Sequence, residues 1–370
     1  MKKIKVLICI GTRPEIIKMG PLYNELSRHP EWFDVSVYHS GQHLELSNDA
    51  LKAFPMVIDF QGKAMQPGQL ISETYSRILL ESGVVISKVS PDVVLVQGDT
   101  ITAFASGISA FLCKTKVGHV EAGLRSSNLE SPWPEELNRI LIDRFANYLF
   151  TPTLQATDQL VRENPPGAVV FTGNTGIDAV LQIADSIGFI KPRNRIRSTS
   201  TPPRILVTQH RRENIGKSLS QIIVGINKLA EQGFEIFFPM HANPEVKEAV
   251  QRELLARQNV HLIPAIEYTE MIRLLAKIDL IISDSGGLQE EGPALGIPVL
   301  VTRESTERPE GILSGSSLLV GVDSWTIEST ARELLSFTSK YNQMASATCP
   351  YGDGNASRII SDFLKDELDT

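Results

Sequence analysis

The sequence predicts an α/β protein of two doubly wound domains, each a parallel sheet covered by helices on both faces. Three observations carry this. Short runs that are apolar on successive residues, the mark of strands buried on both faces, alternate with segments of helical period. The alternation occurs twice. A polar, irregular stretch, Lys191–Pro203, separates the two series.

In the first half the strand-like runs are Val6–Ile10, Val35–Tyr38, Val93–Val96 and Val117–Val120. In the second they are Ile205–Val207, Ile236–Phe238, Val260–Ile263, Leu280–Ile282 and Val299–Val301. The first helix has a legible start: Thr12 and Glu15 stand at capping-box spacing, Pro14 suits a first turn, and Ile16, Met19, Tyr23 and Leu26 share one face. Gly11-Thr12-Arg13 is therefore a strand-to-helix loop at a carboxyl strand end, where ligands sit in open α/β sheets. Arg13 is placed to reach a phosphate, and Lys18, one turn on, to assist it. Taken alone, Lys18 reads better as a solvated surface lysine.

The run Asp284-Ser285-Gly286-Gly287-Leu288-Gln289-Glu290-Glu291 follows the strand Leu280–Ile282 and opens a helix. Bare backbone N–H groups and a positive helix end suit a phosphate, and Glu291 suits a ribose. Two further acids follow strands directly, Asp99 and Glu121, and should point into one crevice. Pro134-Glu135-Glu136 looks like another helix start, where one of the two glutamates needs no role beyond compensating the helix dipole. In the second half His210 follows a strand and is flanked on the ligand side by Arg211 and Arg212, which favours a functional histidine. His241 follows the next strand.

The chain has 370 residues, 42% hydrophobic and 21% charged, with a net charge of −7. It can fill two cores and offers no basic face for nucleic acid. Cys9, Cys113 and Cys349 are three and scattered, with no zinc-type spacing, so neither a disulfide framework nor a metal centre is expected. The basic-then-apolar start lacks a small-residue cleavage site, and no run is long enough to span a bilayer, so a cytoplasmic protein is expected. Ile215-Gly216-Lys217-Ser218 fails as a phosphate-binding loop because Arg211 stands where the earlier glycine is required. No Gly-x-Gly-x-x-Gly supports a nicotinamide cofactor. No cofactor is expected.

Several runs, in one order along nearly the whole chain, resemble the bacterial non-hydrolysing UDP-N-acetylglucosamine 2-epimerases. They are Gly11–Lys18, Gly98–Thr100, Gly118–Arg125, Ser131–Arg139, Thr172–Thr175, His210–Asn214, Asp284–Gly287, Thr306–Glu310 and Pro350–Gly354. The resemblance implies two Rossmann-like domains in a glycosyltransferase-B-like fold, with the active site in the interdomain cleft. The domains would be 1–172 and 173–355, with a C-terminal helix over about 356–370 packing back on the first. It implies that Asp99, Glu121, Glu135 and His210 serve catalysis. Arg13, Lys18, His210, Arg211, Ser285, Gly286, Gly287, Glu291 and Arg308 would hold the UDP-sugar. The reaction would be anti elimination of UDP to a 2-acetamidoglucal followed by re-addition.

The resemblance also implies a homodimer and, around Gln42, Glu45, Gln69 and His241, a second, activating UDP-GlcNAc. Leu44 stands where the family often has arginine, which removes a charge there. Cys349 and Ser126-Ser127 also depart from the family pattern and leave open a 6-deoxy or 2,3-diacetamido UDP-sugar. A hydrolysing relative, a glycosyltransferase of the same fold and a UDP-sugar-binding regulator are the remaining alternatives. Three acids gathered near a bound anion argue against a pure binder.

Overall fold

The computed structural model describes residues 2–369 except 44–46, 67, 190–201, 212–213, 215 and 241–243. Its chain divides into two compact units, Met1–Gln182 with Tyr351–Thr370, and Ile183–Pro350.

In chain order the first unit runs β1 (Ile4–Ile10), α1 (Arg13–Ser27), β2 (Phe33–His39), α2 (Asn48–Ala53), β3 (Phe60–Gln61), α3 (Ile71–Val89), β4 (Val93–Gln97), α4 (Ile101–Leu112), β5 (Lys116–Val120), α5 (Glu135–Phe145), β6 (Tyr148–Thr151), α6 (Leu154–Glu163), β7 (Ala168–Phe171) and α7 (Thr175–Ser186). Among the described residues its sheet is seven-stranded and parallel, in the order β3-β2-β1-β4-β5-β6-β7. Val6 is in register with Val35 on one side and Val93 on the other. From Val6 to Ile10 the strand β1 is almost wholly buried, as its unbroken apolar run requires. Leu7, Cys9, Val94, Val96, Val117 and Leu149 share a core with Ile78, Val85 and Ile86 of α3.

The second unit runs β8 (Arg204–Thr208), α8 (Lys217–Glu231), β9 (Glu235–Pro239), α9 (Pro244–Glu253), β10 (Val260–Ile263), α10 (Tyr268–Leu275), β11 (Leu280–Ser283), α11 (Gly286–Ala294), β12 (Val299–Val301), α12 (Pro309–Leu313), β13 (Ser317–Leu319), α13 (Ser324–Ser336) and α14 (Thr338–Ala345). Its described sheet is six-stranded and parallel, in the order β10-β9-β8-β11-β12-β13. Ile205, Val207, Ile236, Leu280 and Ile282 pack there against Ile222, Ile226 and Leu229 of α8 and Ile327 and Leu334 of α13.

The last helix, α15 (Ala356–Leu368), belongs to the first unit and packs on α1. Its start is fixed by α7: Asp178 accepts hydrogen bonds from the backbone N–H groups of Ala356, at 3.3 Å, and Ser357, at 2.7 Å. The sequence reading divides the chain after Thr172. The compact units part inside α7, because Asn174 N–H bonds the Tyr351 carbonyl at 2.8 Å and Asp178 holds α15. The polar stretch read as a link lies almost entirely outside the described residues.

Each sheet reverses its strand order once, between β1 and β4 in the first unit and between β8 and β11 in the second. At such a switch point neighbouring loops diverge to opposite faces and leave a crevice at the carboxyl strand ends. The loops after β1, β4, β8 and β11 carry Arg13, Asp99, His210 and Ser285.

Candidate active site

At the first unit's switch point the organising group is Glu15, a fully buried carboxyl. Its Oε2 accepts from Gly11 N–H at 3.0 Å, Thr12 N–H at 2.8 Å and Thr12 Oγ1 at 2.7 Å, while Oε1 accepts from Thr100 Oγ1 at 2.7 Å. One carboxyl thus ties the loop after β1 to the loop after β4. Burial pushes it up from the ordinary 4.5 to about 7, against the pull of those hydrogen bonds. Arg13 projects from this loop and donates through Nε to Asp49 Oδ2 of α2 at 2.8 Å. Its side chain remains 39% exposed, so it is open to a ligand.

Glu121, just past β5, adopts a left-handed backbone with φ +70°. A residue with a Cβ tolerates that conformation only where its surroundings impose it, which is common at functional sites. Its Oε2 is 2.5 Å from Lys18 Nζ and also accepts from Gln97 Nε2. Lys18 therefore meets a carboxylate and is not a solvated surface lysine. Asp99 pairs with Arg139 of α5. Of the two glutamates opening α5, Glu136 is fully buried and has the structural role. Its carboxylate accepts from the N–H groups of Ser126 and Ser127 at 2.9–3.0 Å. Glu135 stays half-buried at the helix start. Ser126 Oγ donates to the carbonyls of Asn128 and Ser131, so its hydroxyl serves the local loop.

In the second unit Asp284, fully buried, plays the part that Glu15 plays in the first. It accepts from His210 N–H at 3.1 Å, Arg211 N–H at 3.0 Å and Asn214 Nδ2 at 3.0 Å, and its Oδ1 lies 2.9 Å from His210 Nδ1. Burial pushes this carboxyl up, but its bonds to His210 and Arg211 and the charge of His210 outweigh that and hold it below its ordinary value. The arrangement anchors the histidine through Nδ1 and fixes the orientation of its ring. The next residues, Ser285, Gly286 and Gly287, open α11. A Cβ on Gly286 would stand 2.8 Å from Arg308 Nη1 and 2.9 Å from Arg308 Cζ. The bare glycine thus lets the guanidinium lie against the helix start, with Nε held by Glu290 Oε1 at 2.5 Å. Glu291, one turn in, accepts from Tyr268 Oη at 3.2 Å. Arg211, Arg303 and Arg308 all act on Glu307: burial pushes that carboxyl up, and their three charges bring it below its ordinary value. A helix N-terminus beside gathered guanidinium groups is a diphosphate-binding chemistry.

Gln42 and Gln69 sit in loops of the first unit. Gln42 Oε1 accepts from Thr102 Oγ1 at 2.8 Å, and Gln69 Nε2 donates to the Ala64 carbonyl at 2.9 Å and to Thr74 Oγ1 at 2.6 Å. Glu45 and His241, and with them Leu44 and Arg212, lie outside the described residues. Among the described residues no group of three His, Cys, Asp or Glu side chains forms a metal site, and no helix is long and apolar enough to cross a membrane.

A family model described as UDP-N-acetylglucosamine 2-epimerase matches residues 24–365. The chain belongs to the UDP-N-acetylglucosamine 2-epimerase family. It is 43% identical to the UDP-N-acetylglucosamine 2-epimerase of Escherichia coli K12 over 98% of both chains. The solved structure of a Listeria monocytogenes putative UDP-N-acetylglucosamine 2-epimerase superposes with a TM-score of 0.89 at 37% identity, covering 100% of this chain and 98% of that one. The Neisseria meningitidis UDP-GlcNAc 2-epimerase, solved bound to UDP-GlcNAc, gives a TM-score of 0.86 at 39% identity, over 98% and 100%. The glycosyltransferase-B-like fold of these epimerases is the fold of this chain.

In this member of the 2-epimerase family two buried carboxyls organise the loops of their own units, a role that sequence alone does not give them: there Glu15 reads as half of a capping box and Asp284 as the start of the Ser-Gly-Gly run. The signal for both was present: each is a carboxyl that directly follows a strand or caps the helix after it, at a loop already marked for ligand binding.

Proposed function

We propose that the chain interconverts UDP-N-acetylglucosamine and UDP-N-acetylmannosamine. The observation that carries this reading is the sequence Asp284–Gly287 as folded. A buried carboxylate aligns His210 beside a helix start crowned by Arg308, so that a histidine stands next to the place suited to a departing diphosphate. In the proposed reaction the C1–O bond to UDP breaks as a carboxylate removes the C2 proton, leaving a 2-acetamidoglucal. UDP oxygen then rejoins C1 while an acid delivers a proton to C2 from the opposite face. The C2 hydrogen lies next to no carbonyl and is weakly acidic, so the leaving group must depart early. Arg13, Arg211, Arg308, His210 and the Ser285–Gly287 amides would stabilise its charge. Asp99, Glu121 and Glu135 supply the base and the acid, with Lys18 holding Glu121.

The test is to incubate the protein with UDP-GlcNAc in D2O, without acceptor or cofactor, and follow the proton spectrum. UDP-ManNAc carrying deuterium at C2 is the expected product. Release of free ManNAc with UDP would instead mark a hydrolysing enzyme. An unchanged spectrum, with turnover of a 6-deoxy or 2,3-diacetamido UDP-sugar, would move the substrate. The same reading includes a homodimer and a second, activating UDP-GlcNAc near Gln42 and Gln69. The exposed Leu80 and Val84 of α3, Phe111 and Leu112 of α4 and Leu137 and Leu141 of α5, on helices that pack side by side, support self-association. Sedimentation velocity and the substrate dependence of the rate test these two points.

A further inference from the structure

We propose that His119 is a positioning residue, whose ring sets the backbone of Gly98 and so the aim of the Asp99 carboxylate. This rests on the reading that Asp99 is one of the reacting acids. His119 is fully buried within β5. Its Nε2–H donates to the Gly98 carbonyl at 2.7 Å, and its Nδ1 lies 2.7 Å from Asp143 Oδ1. Asp143 is itself fixed by Arg125 Nη2 at 2.8 Å and Gly123 N–H at 3.2 Å, so the ring has a rigid support behind it.

The turn that His119 grips is held by single bonds from β5 and α5, and the Asp99 carboxylate it carries pairs with Arg139 of α5. Gly98 lies just past β4, with φ +65°, a conformation reached there because the residue has no Cβ. Its N–H donates to the Val120 carbonyl at 2.9 Å. Both polar groups of Gly98 are therefore taken by consecutive residues of β5, Val120 and His119. The next carbonyl, that of Asp99, accepts from Asn138 Nδ2 of α5 at 2.8 Å, and Asn138 Oδ1 accepts from the Tyr75 hydroxyl of α3 at 2.8 Å. Beyond the strand ladder, these bonds fix the dihedral angles from which the Asp99 side chain departs. Glu121 follows His119 by two residues, one past the end of the same strand. One strand end thus places two acids, Glu121 directly and Asp99 through the imidazole. Misplacement of a reacting group by about 1 Å costs about a hundredfold in rate, which is the scale at which such an anchor acts.

The two amide stand-ins for histidine separate this role from a merely structural one. Glutamine reaches the Nε2 position and can keep the bond to Gly98. Asparagine reaches only the Nδ1 position, so it keeps the contact with Asp143 and releases Gly98. With UDP-GlcNAc as substrate, His119→Asn is expected to lower kcat by about a hundredfold with KM unchanged, whereas His119→Gln retains most of kcat. Asn138→Ala frees the neighbouring carbonyl from the other side and is also expected to lower kcat with KM unchanged. It decides alone if His119→Asn does not fold. Equal loss in the glutamine and asparagine variants, or a normal kcat in His119→Asn or Asn138→Ala, overturns the proposal. Asp99→Asn is the control: a normal kcat there sinks the reading of Asp99 itself, whereas a slow Asp99→Asn beside a normal His119→Asn sinks only the anchoring.

Discussion

Two buried carboxyls, one in each unit, do different electrostatic work. Asp284 is a charged hub. Replacing it with asparagine puts an amide N–H against the backbone donors of His210 and Arg211 and loosens His210 at Nδ1. Hydrogen bonds to a charged group contribute about 1.5–3 kcal/mol, so Asp284→Asn should lower kcat by about ten- to a hundredfold, read by steady-state turnover. A normal rate would show that His210 needs no orienting partner. Glu15 has the opposite sign. Its folded-state value of about 7 lies above the ordinary 4.5, so the fold holds its proton after the unfolded chain has lost it. The stability this provides is complete below the ordinary value and is lost as pH rises towards about 7. Glutamine mimics the neutral acid and does not titrate. Glu15→Gln should therefore gain in melting temperature relative to the parent as pH rises from about 5 to about 8. A constant gap between the two across that range would contradict it. Neither hub was assigned its role from sequence, because burial and the convergence of several backbone donors on one carboxylate are properties of the folded loops. The residues that the hubs serve, Arg13, Asp99 and His210, were legible from their places after strands.

At the scale of elements, the strands read from sequence are mostly apolar runs inside a sheet, the edge strand β10 being the exception. Those that escaped have identifiable reasons. The strand β3 has two residues and β13 three, too few to show a period. The edge strand β7 is half exposed, with Phe171 open to solvent. The strand β6 is wholly buried, but Tyr148–Thr151 follows α5 after only Ala146 and Asn147, so its apolar residues merge with the helical pattern before them. The start of α11 was legible because Ser-Gly-Gly after a strand has a mechanism. Arg308 was named only through the family resemblance; that it comes from 22 residues downstream to lie against Gly286 is a property of the fold. Gly286→Ala tests that element directly. Its methyl would displace the guanidinium and should weaken UDP binding by about tenfold in calorimetry, the scale of one charge-assisted hydrogen bond. Undiminished affinity would remove Arg308 from the proposed anion site.

For the molecule as a whole, the two-unit architecture was visible in the repeated alternation of strands and helices. The share of α7 and of Tyr351–Thr370 in the first unit was not fully visible, because it depends on Asp178 meeting the start of a helix that lies beyond the whole of the second unit in the chain. That closure contributes to stability. Ile360 and Leu364 are fully buried on α15, and Leu364→Ala should cost about 2–5 kcal/mol. Amide hydrogen exchange should show the loss in α1 and α7 while α8 and α13 keep their protection. Uniform loss across both units would mean that they unfold as one.

The return of α15 also has a consequence for the order of biosynthesis. Domains on a growing chain ordinarily mature from the N-terminus. Here the unit that begins first is interrupted, and its final helix is translated only after the whole of Ile183–Pro350. The interrupting unit is contiguous and has all its residues sooner. During translation, then, the N-terminal sheet with its row of acids must wait as an unfinished body on the ribosome, exposed to chaperones, until the last helix is made.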